Sequence, residues 1–133
     1  MTEINKYEDG SPFDAIKRVR EDGSEYWTGR DLFPVSGYTR WEKFRGVIRK
    51  AFDGINESDG FTAAQEQIHH TVNLTPRGRY GAQEQEDYDL TRYGAYRVFL
   101  AADDSVPAIA QAKQYFAVKT REAEVRPAFD PSS

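Results

Sequence analysis

A chain of 133 residues with 14% aromatic and 30% charged side chains has the size and the core-forming residues of one folded domain. Its lack of cysteine excludes a disulfide scaffold, a thiolate metal site and a thiol nucleophile. The formal charge of −4 and isoelectric point near 5.2 argue against indiscriminate coating of nucleic acid, yet leave room for a local basic surface.

Residues 1–10 are polar and expected to be flexible. Ser11-Pro12-Phe13-Asp14 reads as a helix start, with Ser at the N-cap and Pro at the first helical position. That helix is expected to bury Phe13, Ile16 and Val19. Glu21-Asp22-Gly23 makes a turn, and Ser24–Trp27 a short strand. Thr28-Gly29-Arg30-Asp31 is a second cap, opening a helix that Pro34 keeps short or irregular.

Residues 37–52, GYTRWEKFRGVIRKAF, concentrate positive charge. From Thr39 to Phe52 five basic residues, Arg40, Lys43, Arg45, Arg49 and Lys50, stand against Glu42 alone, so the segment carries +4 and the rest of the chain −8. Trp41, Phe44, Ile48, Ala51 and Phe52 recur at helical spacing, which predicts an amphipathic helix capped by Thr39 and ended at Asp53-Gly54. Its outward face is either an ordinary solvated surface or one that lies on phosphates.

An acidic loop is expected after Ile55, then a helix over FTAAQEQIHH carrying Phe61, Ala64 and Ile68. Residues 71–75 and 85–89 are read as two strands of a hairpin whose long tip holds Arg77 and Arg79. Such a tip is either a mobile loop or a wing reaching for phosphate. Thr91–Ala101 predicts a helix with Tyr93, Tyr96, Val98 and Leu100 inward. Ser105 and Pro107 open a last helix, with Ile109, Ala112, Phe116 and Ala117 on one face. The expected fold class is therefore α+β: a mostly helical single domain over residues 11–126 with a small antiparallel hairpin or two, and a tail at 127–133.

The residues offer little chemistry. His69 and His70 are adjacent, so on a helix they diverge by about 100° and cannot chelate one metal from one face. No phosphate loop or nucleophile elbow occurs. No apolar run of about 18 residues and no signal-peptide pattern is present. The expectation is a protein without catalytic activity, cofactor, metal or membrane association.

Two blocks carry a resemblance. Residues 11–51 hold Tyr26-Trp27, Arg30-Asp31-Leu32, then Gly37-Tyr38, Trp41, Phe44, Val47-Ile48 and Lys50-Ala51. Residues 88–124 hold Leu90-Thr91-Arg92-Tyr93 and the run IAQAKQYFAVKTR. Their order and spacing resemble the DNA-damage-inducible protein D family, whose N-terminal domain is related to the Bro-N domain of viral BRO proteins and phage antirepressors. The two blocks span about 78 of the 133 residues. Gly94-Ala95 stands where that family has Ala-Cys, and ADDSVP where it has an NGDP turn. Family members continue into a second, C-terminal region, so the chain is expected to be a stand-alone Bro-N-like domain of phage or prophage origin, in the cytoplasm of a bacterial host cell.

The resemblance implies a DNA-binding regulatory module. In that reading Arg40, Lys43, Arg45, Arg49 and Lys50 contact phosphates, Arg77 and Arg79 probe from the hairpin, and Arg92, Lys119 and Arg121 extend the footprint. The other reading is a small acidic inhibitor or antirepressor of a host or phage regulatory protein, docking through Tyr80, Glu84, Glu86, Asp87 and Asp89. In either form the apolar stripe on the helix at 107–126 packs onto its own domain or pairs with its copy in a homodimer.

Overall fold

A computed structural model describes residues 11–76, 78–103 and 105–129. The elements in chain order are α1 (Pro12–Ala15), β1 (Arg18–Val19), β2 (Glu25–Thr28), α2 (Gly29–Ser36), α3 (Trp41–Asp59), α4 (Phe61–Gln67), β3 (Ile68–Pro76), a 3-10 turn (Gly78–Tyr80), β4 (Ala82–Leu90), α5 (Arg92–Ala101) and α6 (Pro107–Phe129). The expected α+β class is the observed one. The four strands form an antiparallel sheet in the order β1-β2-β4-β3, with helices packed around its inner end.

Two predicted caps, Ser11 and Thr28, are present in side-chain detail, and Thr91 supplies a third that the sequence reading did not name. The Ser11 hydroxyl accepts from Phe13 N, Thr28 from Asp31 N, and Thr91 from Gly94 N, each satisfying a backbone donor that the first helical turn leaves open. The helices then close over one aromatic core. Phe13, Trp27, Phe44, Phe99 and Phe116 are all buried, with Phe99 and Phe116 stacked at 5.7 Å and Trp27 edge-on to Phe116 at 4.9 Å. Trp27 Nε1 donates to the Phe13 carbonyl at 2.8 Å, so the indole is buried without an orphaned donor. The Tyr115 hydroxyl donates to Asp14, tying α6 back to α1, and burial drives that phenol well above its ordinary pKa.

Several expectations are corrected. Helix α3 starts at Trp41, with Arg40 rather than Thr39 at the N-cap position, and it runs through Asp53-Gly54 to Asp59. The apolar stripe explains this: Phe44, Ile48 and Ala51 continue into Ile55, which is fully buried and would be lost from the core if the helix stopped at Asp53. The break falls instead at Gly60, whose φ of +97° suits glycine. Val19 lies on the edge strand β1 and is 60% exposed. Phe61 is 56% exposed and meets the Phe52 ring edge-on. In α5 Val98 is buried and Tyr93 and Tyr96 pack partly against the core, as expected, together with Ala95 and Phe99, but Leu100 points out. Helix α4 ends at Gln67, because Ile68 is drawn into the sheet opposite Leu90.

The hairpin is longer and its tip shorter than predicted: β3 and β4 span nine residues each, joined by residues 77–81. In α6, Ile109, Ala112 and Phe116 are buried against the domain's own core, so the stripe that could have paired with a copy is already covered there. That helix continues to Phe129, into the segment read as a tail; residues 1–10 and 130–133 lie outside the described residues.

Candidate nucleic-acid interface

On a helix the buried positions of α3, Phe44, Ile48, Ala51 and Ile55, define one direction, and residues about half a turn away define the opposite face. Glu42, Gly46, Arg49, Lys50 and Asp53 fall there, and Lys43 lies to one side. Arg40, Lys43 and Lys50 are exposed and make no ion pair among the described residues. Gly46 is unusual. A Cβ on it would meet nothing within 4 Å, so neither packing nor backbone conformation within the domain requires glycine. Glycine in a helix interior costs about 1 kcal/mol relative to alanine.

Arg45 lies to the other side of the helix, and both it and Arg49 reach the hairpin. Arg45 Nη1 is 3.4 Å and Arg49 Nη2 3.7 Å from the Glu86 carboxylate. Arg49 Nε donates to the Tyr88 hydroxyl at 3.4 Å, which itself donates to Glu86 at 3.2 Å. His70 Nε2 lies 2.9 Å from the same carboxylate. Burial pushes the Glu86 carboxyl up, but the hydrogen bonds from His70, Arg45 and Tyr88 outweigh it and hold the group below the usual carboxylate range. Arg45 is thereby partly spent on internal structure. The Arg49 side chain remains 61% exposed and still presents charge to solvent.

The residues read as two separate sites thus meet at Glu86. The acidic set does not form a continuous surface. Alternation along β4 sends its members to opposite faces, and Asp87 is turned inward and buried. Its Oδ1 accepts from Arg30 N at 2.9 Å and Tyr88 N at 2.7 Å, fastening the start of α2 to the sheet. Burial raises its pKa. Asp89 is half-buried; Glu84 is openly exposed. The Tyr80 side chain and Arg77 lie outside the described residues. Arg79 is exposed in the 3-10 turn at the tip. The farther-flung Arg92 pairs with Glu25 at 3.7 Å.

Strand β2 meets β4 only at Trp27↔Leu90 and Thr28↔Asp89. From Thr71↔Asp87 to Pro76↔Ala82 the ribbon has no further strand beside it, an arm of roughly 20 Å at about 3.4 Å per residue. Its register sorts the side chains. One face carries His70, Val72 and Leu74 opposite Tyr88, Glu86 and Glu84; the other carries Thr71, Asn73 and Thr75 opposite Asp87, Gln85 and Gln83. Arg30 sits where the second face meets the body. Its guanidinium lies 3.8 Å over the Trp41 ring and its Nε donates to the Glu86 carbonyl at 2.9 Å. Neither Arg30 nor the amide face was singled out from the sequence. The signal was present as alternation, Thr-Val-Asn-Leu-Thr on one strand and Gln-Glu-Gln on the other, but which alternate set faces outward is fixed only by the pairing.

Compared with known proteins, the chain is 30% identical over 114 residues to "DNA damage-inducible protein D" of Escherichia coli (strain K12), an alignment covering 86% of this chain and 41% of that protein. The chain therefore spans about two fifths of the length of the curated relative it matches. No protein-family model matches it. No solved structure matches it.

Proposed function

Because the chain belongs to the DNA damage-inducible protein D family, we propose that it is a regulatory DNA-binding domain without catalytic activity, which holds duplex phosphates along the outer face of α3. Gly46 carries this reading. On the helix surface its neighbours three and four residues away are Lys43, Arg49 and Lys50, with Glu42 the one acidic residue among them. A bare stretch of backbone beside three cations lets a phosphate chain approach more closely than any side chain would permit, and that is a use for glycine the fold itself does not supply. Arg40 extends the row, and Arg79 stands at the far end of the arm. Arg45 has a smaller share, being engaged with Glu86.

The relative's name ties it to DNA damage, and a phage-type or damage-responsive regulatory circuit is the setting proposed for this chain. The second reading, an inhibitor of a regulatory protein, is favoured by one observation: Val72 and Leu74 lie exposed, 53% and 69%, beside Glu84 on one face of the arm.

Charge reversal separates the two. Lys43→Glu/Lys50→Glu is expected to abolish binding of a random-sequence duplex in fluorescence anisotropy, while Val72→Ser/Leu74→Ser weakens it little. Duplex binding that survives the charge reversal would refute the phosphate-contacting face. Loss of a captured protein partner in the Val72/Leu74 variant, with no DNA binding by the wild type, would establish the second reading.

A further inference from the structure

Arg30 is set up to bind something. Stacked on Trp41 and held through Nε by the Glu86 carbonyl, the guanidinium has its plane fixed, while no protein group takes its two Nη nitrogens among the described residues. A planar fork fixed in advance loses little freedom when it engages a ligand. With Thr75, Gln83 and Gln85 it lines one shallow hollow, bordered also by Glu84 and Glu86. By register Asn73 lies beside Gln85 on that same face, and all four ribbon residues are exposed.

Resting on the DNA-binding reading above, we infer that this face reads base edges in the major groove, with Arg30, Asn73, Gln83 and Gln85 as the specifying residues. The chemistry selects the ligand. Phosphate is met by cations, whereas this face offers one guanidinium among neutral amides and a hydroxyl, with Glu84 and Glu86 at its border and by register on the other face. Amides and hydroxyls donate and accept together as base edges do. A guanidinium fork matches guanine O6 and N7, and Asn or Gln matches adenine N6 and N7. The scaffold also fits: a two-stranded ribbon enters a groove about 12 Å wide, and beyond Glu86 and Asp87, which the body holds, this one runs on from Asn73↔Gln85 to Pro76↔Ala82, about 14 Å. Strand formation does not call for these residues, since Asn is disfavoured in strands. Arg40 directly precedes the stacking residue Trp41, which puts a phosphate-contacting cation next to the reader in the chain.

The test is selection of bound sequences from a random duplex library by the whole chain, followed by anisotropy on the enriched site and on random duplex. The expected result is a short motif containing guanine and adenine. The affinity ratio of enriched over random duplex should fall roughly ten-fold or more in Asn73→Ala/Gln85→Ala, as expected for losing bidentate base contacts. Arg30→Lys, which keeps the charge but not the fork, should relax the preference at the guanine. Thermal melts of both variants identify any unfolded protein before the ratios are compared. Binding of random duplex without enrichment of any motif would overturn this inference and leave the proposed function standing, as would a motif that both variants keep. No binding of random duplex by the wild type would overturn both.

Discussion

At the scale of single residues, three positions show how local chemistry is committed. Gly94 opens α5 directly against the chain turn at Gln67, and a Cβ there would lie 2.1 Å from the Gln67 carbonyl oxygen. Gly94→Ala is therefore expected to destabilise the domain by about 1–3 kcal/mol in chemical denaturation, the cost of forcing backbone apart in a packed interior. Asp87→Ala removes the acceptor shared by Arg30 N and Tyr88 N and should cost about 2 kcal/mol; Asp87→Asn, which keeps an oxygen in place, should cost clearly less. Equal losses for the two would show that the charge, not the acceptor, matters. Gly46→Ala points the other way. It should raise stability by about 1 kcal/mol and weaken duplex binding several-fold, because the methyl stands where the phosphate chain approaches. A stabilised variant with undiminished binding would remove Gly46 from the interface.

At the scale of elements, α3 and the hairpin are coupled through Glu86. Its depressed pKa means that the folded state gains from the ionised carboxylate: the gain is fully present above the ordinary carboxylate value and is lost as pH falls through the lower folded value. Glu86→Gln should accordingly show a shallower loss of stability than wild type below about pH 4.3, read from urea midpoints across an acid series. Parallel profiles would mean that the cluster around His70, Arg45 and Tyr88 contributes nothing to folding.

The elements also show what the sequence discloses and what it does not. Ser11 and Thr28 announce their helices because a cap is a local signal, written within three residues. The hairpin and the buried stripe of α3 are legible for a similar reason, period two and period 3.6 being properties of a short window. Asp53-Gly54 has the composition of a stop, yet α3 runs through it to Asp59. Burial of Ile55 overrides it, and burial is a tertiary fact. Asp87 was read as surface for the same reason: nothing in EQEDYDL says which alternate residue faces the core until β4 pairs with β3 and β2. Arg30 depends on Trp41 and Glu86, far off in sequence, and no window contains all three.

At the scale of the whole molecule, an acidic chain keeps a small uncompensated basic surface. Of the five cations gathered in residues 39–52, Arg45 and Arg49 lean on Glu86, while Arg40, Lys43 and Lys50 face solvent without a counter-ion among the described residues. The molecule is thus suited to a footprint of few phosphates rather than to broad coating, with base contacts adding selectivity. The measurement that tests this most directly is the salt dependence of duplex binding by the wild-type chain between about 50 and 200 mM, followed by anisotropy. About five phosphate contacts, from Arg40, Lys43, Arg49 and Lys50 along α3 and Arg79 at the arm tip, predict a log–log slope of about −4.5. No binding at about 50 mM salt, or a slope near zero, would contradict a phosphate-contacting face on α3.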